Sequence, residues 1–177
     1  MPSFLSCLPS RSSAAVQDEP LLPTADASKR VVKSCIFCNA TRENGFAVIY
    51  EDEEFVAFHD RTPRAKEHIL VIPRAHAASS VRDLTSQDIP MVRKMLALGC
   101  QLVPPSPPPK AGFHIPPFSS VPHLHLHIFS GPHTFIGKFK YPITRHGEGE
   151  KGYGWFITPD QVVRILQKGG KIDLGRG

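Results

Sequence analysis

Residues 121–129 read Val-Pro-His-Leu-His-Leu-His-Ile-Phe, with imidazole and aliphatic side chains alternating without a break from His123 to Ile128. Successive side chains of an extended strand point to opposite faces. His123, His125 and His127 therefore share one face, while Leu124, Leu126 and Ile128 share the other. The pattern predicts a strand with a core on one side and a polar site on the other, so the fold must be built around a sheet. Next-but-one residues on a strand lie about 6.5–7 Å apart, close enough for adjacent imidazoles to address one small anion. An imidazole with an ordinary pKa of about 6.5 leaves a neutral, nucleophilic nitrogen at pH 7, while a neighbour can hold a proton. As packing alone, each of the three would bury a polar group that needs its own partner. Two chemistries fit: group transfer through a nucleophilic imidazole, and metal ligation, for which His-x-His on a strand is a recurrent arrangement.

The rest of the chain supplies elements to surround such a strand. Residues 46–50 (FAVIY), 55–58 (FVAF) and 68–72 (HILVI) are short runs rich in β-branched and aromatic residues, and each predicts a strand. Thr85-x-x-Asp88 resembles a capping box, and Met91, Met95, Leu98 and Leu102 recur after it at helical spacing, widened by Val92 and Leu96. One amphipathic helix is expected there, with Pro90 in its first turn and the two methionines as core filler. Eight prolines lie between Pro104 and Pro122, and because proline cannot donate to a ladder this stretch is expected to be loop. Residues 155–168 read as a short strand followed by a helix opened by Thr158 and Pro159. The glycine-rich stretch 130–154, with Lys138, Lys140, Arg145 and Lys151, reads as a basic loop. Residues 1–34 hold seven Ser, four Pro and four Ala without apolar periodicity, which predicts a disordered arm ahead of a single domain over 35–177.

Composition narrows the function classes. With 177 residues and 41% hydrophobic content the chain can bury one core, and no apolar run approaches the roughly 20 residues of a membrane span. Lys and Arg exceed Asp and Glu by 21 to 16, a net +5 that favours a polyanionic ligand without choosing between nucleotide and nucleic acid. Cys7, Cys35, Cys38 and Cys100 are too few and too unevenly spaced for a disulfide framework, so a reducing compartment is expected.

The segment His123-Leu124-His125-Leu126-His127 is similar to the H-x-H-x-H motif of the histidine triad (HIT) family. Phe55-Val56-Ala57-Phe58-His59-Asp60, His68-Ile69-Leu70-Val71-Ile72-Pro73 and His76 fall where that family has its other blocks, so the resemblance spans residues 35–173. Gly112-Phe113-His114-Ile115-Pro116-Pro117-Phe118 and Trp155-Phe156-Ile157-Thr158 resemble the HINT branch of the family. The resemblance implies an α+β, HIT-like fold with a mostly antiparallel sheet, one central helix and a C-terminal helix. It also implies a homodimer and a cytoplasmic or nuclear location. The implied activity is hydrolysis at the α-phosphate of an adenosine nucleotide, with adenosine 5'-monophosphoramidates (AMP joined to an amine) as the favoured substrates. His125 matches the nucleophile, which forms a nucleotidyl-histidine that water then cleaves. His127 matches the histidine that contacts the same phosphate. Ser120 matches a serine near the leaving group, where a proton for the departing amine is useful. Asp60 matches the carboxylate that binds the ribose hydroxyls, Arg61 falls beside the base, and His68 matches a supporting histidine. No cofactor is required for this chemistry.

Some HIT proteins, mainly bacterial, also hold a structural zinc ion through two cysteines, a histidine and the first triad histidine. The matching residues are Cys35, Cys38, His76 and His123, a set suited to a closed tetrahedral site. His125 and His127 would remain for chemistry. The proline-rich stretch before the triad departs from the HINT pattern, where an asparagine contacts phosphate, and the run PPSPPP falls where relatives have a strand. Four other readings stay open: hydrolysis of dinucleoside polyphosphates, action on adenylated 5' nucleic-acid ends through Lys138, Lys140 and Arg145, a nucleotide-binding module without turnover, and a zinc hydrolase.

Overall fold

Strand β3, Ala65–Pro73, forms the spine of the sheet because its residues from His68 to Pro73 are buried without interruption, as expected of a strand covered on both faces. The protein is described by a computed structural model covering residues 31–142 and 154–174. The arm expected over residues 1–34 lies outside the described residues as far as residue 30, as do Arg145 and Lys151. In chain order the elements are β1 Val48–Glu51, β2 Phe55–His59, β3, α1 Ile89–Gln101, β4 Lys110–His114, β5 Leu126–His133, α2 Phe135–Lys140, β6 Phe156–Ile157 and α3 Pro159–Gln167. The strands form one sheet in the order β1-β2-β3-β5-β4-β6, and each neighbouring pair is antiparallel. This is the expected α+β architecture. None of the described helices is long and apolar enough to cross a membrane.

The period of two sorts the strand residues onto two faces. Ala57, Ile69, Val71, Phe113, Leu126 and Ile128 join α1 and α3 in the main core. Val56, Phe58, Leu70 and Ile72 point the other way, into a second cluster with Cys35, Phe37 and Ala40 from the segment before β1. The triad histidines lie on this second side and are buried, with Phe37 of that segment packed against His123 and His125.

Helix α1 begins as expected and packs along a shifted line. Thr85 and Asp88 form a capping box around a single 3₁₀ turn that leads into the helix, and Pro90 occupies the first turn. The buried stripe is Ile89, Val92, Met95 and Gly99, while Met91 and Leu98 pack at its edge. Gly99 lies where the helix comes closest to the sheet, since a Cβ there would sit 2.5 Å from Ile128 Cγ1. A hydrophobicity count gives glycine no weight, which is why the sequence stripe was centred elsewhere. At α3, Thr158 Oγ1 accepts from the Gln161 amide and Gln161 Oε1 accepts from the Thr158 amide, a reciprocal cap with Pro159 in the first turn.

Three expectations need correction. The stretch from Pro104 to Pro122 is not all loop, because Lys110–His114 forms β4 between β5 and β6. Proline removes only its own donor, and none falls within these five residues. The basic loop expected from residue 130 instead begins as the end of β5 followed by α2, capped by Thr134, whose Oγ1 accepts from the Gly137 amide. Finally, regular strand pairing in β5 starts at Leu126, so His127 is on the ladder while His123 and His125 occupy the irregular segment leading into it.

Candidate active site

His125 is 6% exposed, and its Nδ1 lies 2.7 Å from the carbonyl oxygen of His123. A carbonyl only accepts, so Nδ1 carries the hydrogen and donates it, which leaves the Nε2 lone pair unprotonated. Burial lowers the pKa of this imidazole. The ring is thereby held neutral with a nucleophilic nitrogen directed away from its own backbone.

A chain of hydrogen bonds sets the remaining tautomers. The Arg64 amide donates to His68 Nδ1 at 3.3 Å, so His68 carries its hydrogen on Nε2. That N–H donates to His127 Nδ1 at 2.9 Å, and Asp60 Oδ2 stands 3.5 Å from the same nitrogen. His127 must then carry its hydrogen on Nε2, which donates to His114 Nδ1 at 3.1 Å. His114 in turn donates from Nε2 to the Lys140 carbonyl at 3.3 Å. A backbone amide starts the chain and a backbone carbonyl ends it, so its direction is fixed with all three imidazoles neutral. Burial, the largest influence on each, pushes His68 and His114 down to about 4 and holds His127 well below its ordinary range. Nitrogens of His114, His125 and His127 lie within 4.8 Å of one another, a spacing that lets one phosphoryl group meet all three.

Asp60 follows β2 in an Asx turn. Its Oδ1 accepts from the Thr62 amide at 2.7 Å, leaving Oδ2 toward His68 and His127. On the other side of the triad, Cys35, Cys38, His76 and His123 bring their ligand atoms within 4.8 Å of one another. His123 donates from Nε2 to the Pro73 carbonyl at 2.9 Å, so its Nδ1 lone pair faces the two thiols, 3.5 Å from Cys35 Sγ and 3.6 Å from Cys38 Sγ. His76 Nδ1 is 3.4 Å from Cys38 Sγ. Both cysteines are free, and burial raises the Cys38 thiol pKa. Separations of this size match those between ligands around one tetrahedral zinc ion, and the carbonyl on the far nitrogen of His123 is the usual device for orienting such a ligand.

Residues 34–140 match the family model described as scavenger mRNA decapping enzyme C-term binding. The chain is 35% identical to the adenosine 5'-monophosphoramidase HINT3 of Danio rerio over 77% of its own length and 84% of that protein. This chain belongs to the histidine triad family. It is also 42% identical to the bifunctional adenosine 5'-phosphosulfate phosphorylase/adenylylsulfatase HINT4 of Arabidopsis thaliana, over 59% of the chain and 75% of that protein. Among solved structures, a HIT family hydrolase from Legionella pneumophila Philadelphia 1 superposes with a TM-score of 0.52 at 27% identity, over 59% of the chain and 99% of that structure.

The HIT fold brings His125, His127, His68 and Asp60 together and places the other expected residues less centrally. Arg61 is exposed beside Asp60, at the rim. Ser120 is exposed, whereas its neighbour Ser119 lines the small cavity that also contains His114, His123 and His125. Sequence reasoning passed over His114. The signal was present, since Gly112-Phe113-His114-Ile115 continues the same alternation between Pro109 and Pro116.

Proposed function

We infer that this HIT protein is a nucleotide hydrolase that cleaves AMP joined to an amine, through a nucleotidyl intermediate on His125. The observation that carries this reading is the bond from His125 Nδ1 to the His123 carbonyl, which leaves Nε2 as a fixed, neutral nucleophile within reach of two further imidazoles. His125 Nε2 attacks the α-phosphorus, the amine departs with a proton, and water then releases AMP from the histidine in a second in-line displacement. His127 Nε2–H, presented by the His68 bond on its far side, donates to a phosphoryl oxygen as charge builds there. Asp60 is assigned to the ribose hydroxyls and Arg61 to the base side. The names of the Danio rerio and Arabidopsis thaliana relatives support an adenylyl substrate, and sulfate is the nearest alternative to an amine as leaving group.

We further propose that Cys35, Cys38, His76 and His123 hold a structural zinc ion. It would tie the segment before β1 to the triad, and no step of the reaction passes through it. Resemblance to the HINT branch supports assembly as a homodimer and a cytoplasmic or nuclear location.

The test is turnover of AMP-tryptamine amide by wild type and His125→Asn. The reading expects release of AMP and tryptamine by wild type and a loss of about 10³-fold or more in the variant. Wild type that binds the amide without turning it over contradicts the reading.

A further inference from the structure

One imidazole of the cavity has no role in the scheme above. Gly112 of β4 pairs with His127 of β5, so two residues further along His114 comes level with His125 on the same face. His114 is buried, and its two nitrogens are engaged differently. Nε2–H is committed to the Lys140 carbonyl, which also accepts from Trp155 Nε1 at 3.1 Å and is thereby held in place. Nδ1 merely accepts the His127 Nε2–H, the hydrogen that the proposed reaction requires at the phosphate. A phosphoryl group seated against His125 Nε2 takes that hydrogen and leaves the His114 Nδ1 lone pair facing an anion.

A lone pair toward an anion is repelled, whereas a proton on Nδ1 converts the contact into a charge-assisted hydrogen bond. The Lys140 carbonyl is already positioned to stabilise the imidazolium through Nε2–H. Burial keeps the empty site neutral, with His114 at about 4, and the Lys140 charge acts in the same direction. Tyr141 packs against the ring, 4.9 Å between centroids, and is itself protonated well above neutral pH. The Lys140 carbonyl favours the charged form but does not outweigh burial in the empty site; the substrate phosphate adds a negative charge beside Nδ1, so protonation coincides with binding.

We propose that His114 gives the proton to the leaving nitrogen, the role the sequence suggested for Ser120. The proposal rests on the phosphoramidase reading. In the first step the His125 Nε2 electron pair forms a bond to phosphorus, the P–N bond to the amine breaks with its pair moving to nitrogen, and that nitrogen takes the His114 Nδ1 proton. Amine and His114 are then both neutral. In the second step water attacks phosphorus and passes a proton to His114 Nδ1, while the His125–phosphorus bond returns its pair to Nε2. The sum is amide plus water giving AMP plus amine, with His114 restored to its starting form.

The experiment compares two substrates on wild type, His114→Gln and His114→Asn. AMP-tryptamine amide needs a proton to leave, whereas adenosine 5'-phosphofluoridate expels fluoride without one. First-turnover release of tryptamine is expected to fall about 10²–10³-fold in the variants, and first-turnover release of fluoride by less than about tenfold. The fluoride reaction also shows that the variant site is folded and competent. An equal loss on both substrates, or no loss on the amide, overturns the proposal while leaving the adduct on wild-type His125 intact. Absence of that adduct in wild type overturns the phosphoramidase reading and the proposal with it.

Discussion

Lowering the pH from 7.5 to 5.0 at constant ionic strength should destabilise this protein steeply, and the size of the effect follows from its buried imidazoles. His68 and His114 are 1% and 7% exposed, and both are held at about 4 by burial. In the unfolded chain they titrate at about 6.5. Between these values the unfolded state binds protons that the folded state refuses, so stability is complete above about pH 6.5 and is lost as the pH falls toward 4. For one such imidazole the loss from pH 7.5 to 5.0 is about 2 kcal/mol, and for the two about 4 kcal/mol. Domains of this size have roughly 5–15 kcal/mol in total. His125 and His127 are shifted the same way and add to the slope. The assay is urea unfolding at several pH values between 7.5 and 5.0, followed by far-UV circular dichroism and by fluorescence of Trp155, the single tryptophan. The slope of unfolding free energy against pH gives the proton uptake, expected to be two or more. An unfolding midpoint that stays flat from pH 7.5 to 5.0, or an uptake below one proton, would refute the assignment of neutral buried imidazoles.

Three further outcomes follow from other parts of the structure. Gly112→Ala places a Cβ inside the contact distance of the Phe156 ring and 2.8 Å from the Ile157 carbonyl oxygen; a loss of about 2 kcal/mol is expected, seen as a Tm lower by about 5 °C in a thermal melt. Metal analysis of the purified protein should find one zinc per chain, and Cys35→Ser/Cys38→Ser should lose the metal and melt lower while still forming the His125 adduct; a metal-free wild type would contradict the zinc assignment. Asp60→Asn should raise KM for the AMP amide about tenfold, the cost of a lost charge-assisted hydrogen bond to the sugar, and should abolish any preference for ribose over 2',3'-dideoxyribose, which steady-state kinetics with the two nucleotide amides would show.

Much of the scaffold could be read from local pattern because its elements obey a single period. The alternation His123 to Ile128 separated site from core correctly, and Thr158-Pro159 marked the start of α3 through a cap that is present. The four residues expected to hold zinc also converge, although they come from three separate stretches of chain. What escaped depends on partners distant in sequence. Strand β4 was hidden because flanking prolines suggested loop, and only its pairing with β5 reveals that His114 stands beside His125. Helix α2 has six residues, and Phe135, Ile136 and Phe139 are exposed, so no apolar stripe announces it. Ser120 lies three residues before the triad, but spacing does not fix direction in an irregular segment, and the fold turns Ser119 to the cavity instead. Gly99 shows the same limit in the core, where the residue of closest approach is the one without a side chain.

The central claim is that His125 Nε2 becomes bonded to the nucleotide. Wild type and His125→Asn are mixed briefly with an AMP-amine conjugate, quenched in alkali, which preserves a phosphorus–nitrogen bond to histidine, and weighed by mass spectrometry. The account predicts a transient gain of one AMP unit on wild type, mapped to the peptide containing His125 and absent from the variant. Turnover by wild type with no adduct at the earliest quench, or an equal adduct on His125→Asn, would contradict it.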